Sequence, residues 1–391
     1  MKTLKESLLD DIDNTLKQGS TGIKDAIKDF LKLNYNYASK FKISRKVNDN
    51  GLYEVSAPIG MKLTIKNKNF SELTNGLFEF VELYGAEIIM CKQLKSLKGL
   101  PKHLKGTLMI YDCGLDSLEG CPKSINGQFV CQSCSGLTSL EYGPKTITKD
   151  YSCENCYNLI SLKGCPDTVQ DFSCRGCHRL TSLEGCPQQV HGRFNCSACR
   201  GLITLKGAPN YVKDNFRCDE CPSLKSLEGC TKEIGESFIC DNCEKLKTLE
   251  HGPIKVGNVY SVRECKNLIS LKGLENTIIP GILNCSNCYA LESLEGCPKK
   301  IGQKSKPACM SVSRLVCCYC TNIKTLKGAP EIINGDLFIN NCASLESLEG
   351  CPKQVTGSFV CYGCKRKFEP DEILSVCDTK LTRIRVENIT L

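Results

Sequence analysis

The sequence predicts a repeat solenoid with a parallel β-sheet on one side, a mostly irregular convex side, and a small α+β cap at the N-terminus. Three observations lead there. A short pattern, clearest in Phe194-x-Cys196-x-x-Cys199-x-x-Leu202-x-x-Leu205-x-Gly207-x-Pro209-x-x-Val212, recurs from Ala86 to Cys364. Its second leucine falls at Leu97, Leu118 and Leu140 and so on to Leu348, in steps of 21 to 23 residues with one of 32. Each copy is also too poor to fold alone. About six buried apolar groups contribute ~2 kcal/mol apiece, whereas ordering the backbone of one copy costs upward of ~20 kcal/mol. Units of that kind bury their apolar face only against their neighbours.

Residues 1–85 form the N-terminal cap region. Leu4, Leu8, Ile12 and Leu16 lie four apart among acidic residues, which predicts an amphipathic helix over 3–17. After the break Gln18-Gly19-Ser20-Thr21, the residues Ile23, Ile27, Phe30 and Leu31 mark a second helix. The period then changes. Phe41–Val47 and Leu52–Val55, joined by Asn48-Asp49-Asn50-Gly51, predict a hairpin, and Met61–Ile65 a further strand.

Residues 86–364 are the solenoid, with thirteen strand modules starting at 86, 108, 129, 151, 172, 194, 216, 238, 260, 283, 315, 337 and 359. Extra residues near 303–312 lengthen one turn, as insertions into a loop on one face do. After Cys364 the leucines give way to Lys365-Arg366-Lys367-Phe368. Residues 365–391 are the C-terminal cap, with 371–377 helical and 381–386 extended.

Totals narrow the class. The net charge is +8, from 51 Lys and Arg against 43 Asp and Glu, and is spread along the chain. That charge tolerates an acidic partner without demanding one. No stretch reaches the ~20 apolar residues of a membrane span and the N-terminus lacks a signal-peptide core, so a cytoplasmic protein with no membrane partner is expected. In that compartment the 31 cysteines stay thiols.

Those cysteines pose the sharpest question. Cys131-x2-Cys134-x18-Cys153-x2-Cys156 fits a zinc template, and so do several successive pairs. Substitution between turns argues the other way. The first cysteine of the pair is replaced by Ile88, Ile110, Val262 or Ile339, so its slot takes any buried apolar side chain. A third set (Cys121, Cys165, Cys186, Cys230, Cys297, Cys351) alternates with Ala208, Ala329, Leu100 and Leu274. Only the second cysteine of the pair is never replaced. The expectation is a structural ladder with no metal and no cofactor. A protein holding zinc or an iron–sulfur cluster in its CxxC pairs is the alternative. Cys309, Cys318 and Cys377 stand outside the pattern.

The pattern F-x-C-x-x-C followed by L-x-x-L resembles the leucine-rich repeat core, with the unreplaced cysteine in its Asn/Cys slot. The following C-P-x-x-V, as in Cys186-Pro187-x-x-Val190 and Cys351-Pro352-x-x-Val355, is similar to the L-P-x-x-L of short bacterial effector-type repeats. The resemblance covers about 280 residues. It implies a solenoid that binds a protein partner on its concave sheet. One extra residue between Cys199 and Leu202, and the aromatic that often opens the strand, depart from the family pattern. Effector-type repeats often precede a ubiquitin-ligase domain with a catalytic cysteine, but the tail holding Cys377-Asp378 is too short for one. The opening Met1–Asp10 resembles starts found in phage and gut-bacterial proteins. A structural component of a phage particle, virion-associated, is therefore a further reading.

Side chains alternate along a strand, so the residue after the opening aromatic points outward. That column contains Val316, Phe338 and Val360 in consecutive turns, with Tyr319 and Tyr362 in neighbouring variable slots. Such an apolar ridge is a candidate partner-binding surface, unless the 303–312 insertion or the tail folds over it. Arg175, Arg179, Arg200 and Arg217, with His178, form a second, basic candidate beside Asp219, Glu220, Asp241 and Glu244. The acids cancel much of the field, and no sustained basic stripe with stacking aromatics exists, so nucleic acid is not the expected partner. No phosphate-binding loop, dinucleotide fingerprint, HExxH or GxSxG is present. His103, His178, His191 and His251 fall in different repeat phases or on variable positions, so no catalytic residue is expected and the chain reads as a non-enzyme.

Overall fold

The structure, a computed structural model, describes residues 20–35, 37–303, 313–380 and 383–386. The helix expected over 3–17, nearly all of the 303–312 insertion with Cys309, and Leu381 and Thr382 lie outside those residues. The chain divides into two units, Met1–Pro166 and Asp167–Leu391. Both are built from turns of a parallel β-solenoid.

In the first unit, helix α1 (Ser20–Asn34) buries Ile27, Phe30 and Leu31. Strands β1 (Lys42–Val47), β2 (Tyr53–Ser56), β3 (Lys62–Lys66) and β4 (Phe78–Glu82) follow. β1 and β2 are the expected antiparallel hairpin, and β2 pairs in parallel with β4. Asn48 Oδ1 closes the hairpin turn by accepting the N–H groups of Asn50 and Leu52 at 3.0 and 3.1 Å. Phe30 meets Phe78 and Tyr35 meets Phe80 edge to face, giving the cap a small aromatic core. β3 belongs instead to the rungs, pairing in register with Gly85–Ile89. The ladder thus starts one rung before Ala86, on a strand that lacks the cysteine pair. Leu108–Tyr111, Phe129–Gln132 and Tyr151–Ser152 complete the rungs of this unit.

The second unit carries the rungs from Phe172–Ser173 to Phe359–Val360, closed by Ile384–Arg385. All are parallel and in register, with Phe194 opposite Phe216 and Phe216 opposite Phe238. The reverse side of each unit is irregular apart from two-residue strands such as Gln189–Val190 and Tyr211–Val212. Helix α2 (Pro370–Val376) covers the C-terminal end with Ile373 and Phe368 buried, and the Arg366 guanidinium lies 4.2 Å from the Phe368 ring centre.

The rung's shape follows from its sequence. Phe194, Cys196, Cys199, Leu202 and Leu205 are wholly buried, and the same slots are buried in nearly every turn. Two left-handed residues per turn make this inward convergence geometrically feasible. The residue before the unreplaced cysteine has φ between 53° and 74° in all thirteen turns, whether it is Gly176, Ala198, Glu220 or Tyr319. Non-glycine residues there give up ~1–2 kcal/mol each. The second left-handed position follows the last leucine and is glycine in most turns, as at Gly207 (φ 85°).

Two turns break that rule in the same way. Tyr142-Gly143 and His251-Gly252 replace the usual Gly-Cys, so the left-handed position passes to Tyr142 and His251 (φ 67° each). In both, the next rung opens with tyrosine rather than phenylalanine, at Tyr151 and Tyr260. The phenol oxygen fills the space a cysteine side chain would need: a Cβ on Gly143 would lie 3.3 Å from Tyr151 Oη, and one on Gly252 2.8 Å from Tyr260 Oη. Tyr260 Oη is buried without a hydrogen-bond partner among the described residues. Tyr260→Phe is therefore expected to raise stability by about 1 kcal/mol, read as a higher denaturant midpoint.

Charge stacks as well. The residue after the last leucine is always Glu or Lys and changes sign at most steps, and Glu141–Lys163, Glu184–Lys206, Glu250–Lys272 and Glu295–Lys327 pair rung to rung at 2.9, 3.7, 3.0 and 3.4 Å. Every one of these side chains is well exposed, so each pair contributes little on its own.

Candidate functional site

Most of the unreplaced cysteines share one job. Cys199 Sγ donates to the Cys174 carbonyl at 3.2 Å, Cys265 to Cys240 at 3.2 Å, and Cys342 to Cys317 at 3.1 Å. Cys288 donates to Val262 O at 3.1 Å and Cys113 to Ile88 O at 3.6 Å. In these turns the acceptor is the backbone of the first-cysteine slot in the preceding rung, whereas Cys91 and Cys134 donate to Ile89 O and Gln132 O of their own rung at 3.5 Å each. The side chain in the first slot can therefore be cysteine, valine or isoleucine without affecting the bond. The second slot must supply a compact donor, and a thiol is both apolar enough to pack and able to give that proton. Burial pushes the second-slot thiols of Cys221, Cys288 and Cys342 above their ordinary value. A protonated sulfur suits a donor and opposes metal ligation, which needs thiolate. Among the described residues no three His, Cys, Asp or Glu side chains are grouped so as to hold a metal ion. The Cys131, Cys134, Cys153 and Cys156 set, which matches the zinc template in spacing, is not gathered into such a group.

The outward face of the second unit carries the predicted partner-binding residues. Val316 and Phe338 are half-buried and stand side by side, with the Arg314 guanidinium 5.9 Å from the Phe338 ring centre. Val360, expected as the third exposed member, is only 5% exposed. Strand Ile384–Arg385 pairs alongside it in register, so the tail closes that end of the ridge. Tyr319 is 50% exposed in the left-handed turn position, and Tyr362 is half-buried.

Arg175, Arg179 and Arg200 are exposed on neighbouring rungs and form no ion pair among the described residues. His178 Nδ1 contacts the Ala198 carbonyl at 3.1 Å, tying these turns together. Arg217 is different. Its Nε and Nη2 fork onto the two carboxylate oxygens of Asp219 at 3.0 Å each, and Ser197 Oγ donates to Asp219 at 2.7 Å. Sequence reasoning missed this network, because a polar residue in a variable slot gives no sign that it is buried. Asp219 is 7% exposed.

The neighbouring Asp241 accepts from Ser261 Oγ at 2.6 Å and from the Arg263 N–H at 2.8 Å, with no guanidinium fork. Burial works against both carboxylates. The Arg217 fork and Ser197 outweigh it and hold Asp219 below the usual carboxylate range, while Asp241 stays above it. The two carboxylates therefore act in opposite directions. The contribution of Asp219 is full above about pH 4 and is lost as pH falls through its depressed value. That of Asp241 is full below about pH 4 and is lost as pH rises through its raised value. Asp241→Asn should raise the urea midpoint at neutral pH, with the gain shrinking toward pH 4, and Asp219→Asn should lower it at neutral pH.

One contact the sequence did not foresee joins a potential base to a hydroxyl: His103 Nδ1 lies 2.6 Å from Ser124 Oγ. The two face each other across exposed two-residue strands. Among the described residues no carboxylate hydrogen-bonds the histidine, so the third member of a nucleophilic triad is missing. No described helix is long and apolar enough to cross a membrane. Compared with protein-family models, curated proteins and solved structures, the chain matches none.

Proposed function

We propose that the chain is a non-catalytic cytoplasmic scaffold of leucine-rich-repeat type that binds a protein partner on the outward face of its parallel sheet. One observation carries this reading. While acids and bases elsewhere pair between rungs, as in Glu184–Lys206 and Glu250–Lys272, Arg175, Arg179 and Arg200 stand exposed together on two neighbouring rungs without ion pairs among the described residues. An acidic partner segment would supply them, and Arg217, already held by Asp219, would border that contact. Val316, Phe338, Tyr319 and Tyr362, with Val360 beneath them, would give a partner an apolar second contact on later rungs. The flanking Asp219, Glu220, Asp241 and Glu244 repel a long polyanion, which favours a short acidic peptide over nucleic acid.

The test is capture of a partner from the native host by reversible cross-linking, with three versions of the chain. The wild type and a Lys213→Glu control should recover the same protein. Arg175→Glu/Arg179→Glu/Arg200→Glu should lose it by about tenfold or more, as like charges now oppose. Equal recovery by all three would remove the arginines from the interface.

A further inference from the structure

Most thiols of this protein lie sealed inside the stack, where no reagent reaches them. Cys285 Sγ and Cys317 Sγ, for example, are 3.1 Å apart, and both residues are wholly buried. Cys351 differs. It is partly exposed and lines an open surface cleft of about 310 Å³ together with Gly350, Glu372 and Val376. Val376 at the end of α2 lines the same cleft, which sets the next residue, Cys377, beside Cys351, and each thiol shifts the proton affinity of the other. Both are free thiols.

The backbone holds this pair in place. Asp378 N–H donates to Lys353 O at 2.8 Å, and Val355 N–H donates to Asp378 O at 3.1 Å. Asp378 thus bridges in parallel to Gln354. In the sequence Cys351 belongs to a column that alanine or leucine can fill, and Cys377 to no column at all.

We propose that Cys351 and Cys377 are a redox-responsive dithiol that reacts with small disulfides of the glutathione type and closes to fasten the C-terminal cap onto the last full rung. The exposed Cys351 loses its proton and attacks the small disulfide. It forms a mixed disulfide and expels one small thiolate, which takes up the proton. Cys377 then attacks the Cys351 sulfur and expels the second small thiol. Two protein thiols become one disulfide while one small disulfide becomes two thiols, so atoms and electrons balance. The bond ties α2 and the Ile384–Arg385 strand that follows it to the rung at Cys351.

The folded full-length chain is treated with oxidised glutathione, its remaining thiols are alkylated in denaturant, and tryptic peptides are read by mass spectrometry. The expected result is a single linked pair, Cys351 with Cys377, and trypsin cleavage inside the cap slowed by about tenfold or more before digestion. Cys377→Ser should instead keep glutathione on Cys351, and Cys351→Ser should show neither product, with circular dichroism unchanged in both. A wild type that stays unlinked, retains the mixed disulfide, or links other cysteines in place of this pair overturns the proposal. Reactivity of Cys377 that persists in Cys351→Ser would do so as well.

Discussion

Phe216→Ala is expected to cost about 3–5 kcal/mol, the largest loss of any single truncation in the ladder. Phe216 is wholly buried between two aromatic neighbours, with ring centres 4.8 Å from Phe194 and 5.7 Å from Phe238. Its removal opens a cavity and severs the aromatic stack in both directions at once. A solenoid transmits stability only through adjacent rungs, so the damage should be local. Hydrogen exchange is the informative measurement. Amides of the rungs opening at Phe194, Phe216 and Phe238 should lose protection first, while Gly85–Ile89 in the other unit keeps its own. Uniform loss over both units would contradict nearest-neighbour stacking.

Cys199→Ala should cost about 2–3 kcal/mol, and Cys196→Val less than about 1.5 kcal/mol, although both sulfurs are fully buried in the same turn. The difference combines the bond to the preceding rung with the void that alanine leaves. Losing Cys199 Sγ removes a donor from the Cys174 carbonyl and leaves a small void. Losing Cys196 Sγ removes a donor at 3.3 Å from the Arg217 carbonyl, which the Cys196 N–H still satisfies at 2.8 Å, and volume that valine restores. Chemical denaturation of the two variants side by side checks the asymmetry. Cys199→Ser should recover part of the loss, because a hydroxyl can give the same proton. Equal costs for Cys199→Ala and Cys196→Val would mean that the sulfurs serve only as filling.

The rungs were readable because the pattern is written thirteen times and its substitutions report on themselves. Ile88, Val262 and Ile339 in a cysteine slot declare that slot apolar before any coordinates exist. The hairpin, the second helix and the C-terminal helix were likewise legible from period and turn residues. What stayed hidden was information carried by the backbone. Met90, Ser133, Ala198 and Glu264 share a left-handed conformation although nothing in their side chains asks for it. β3 lacks the cysteines and so hid its membership of the ladder. Alternation along a strand predicted the outward column, and the tail was one of two segments expected to be able to cover it, as Ile384–Arg385 does at Val360; that Asp219 would sink beneath Arg217 was not legible. The juxtaposition of Cys351 and Cys377 joins a repeat to a cap, and a period cannot announce a residue that does not share it.

The acids and lysines after the last leucine act less as cement than as a bias against some misassembled orders, although Glu119 and Glu141, and Glu228 and Glu250, already occupy neighbouring turns in the native order. Were the chain to stack with the Lys206 turn looped out, Glu184 would meet Glu228; without the Lys272 turn, Glu250 would meet Glu295. Each skipped lysine turn brings two carboxylates together. Near-identical modules otherwise invite such slips during folding. A weak surface feature thereby discriminates among misassembled products, and high salt, by screening it, should make refolding less faithful before it makes the finished coil less stable.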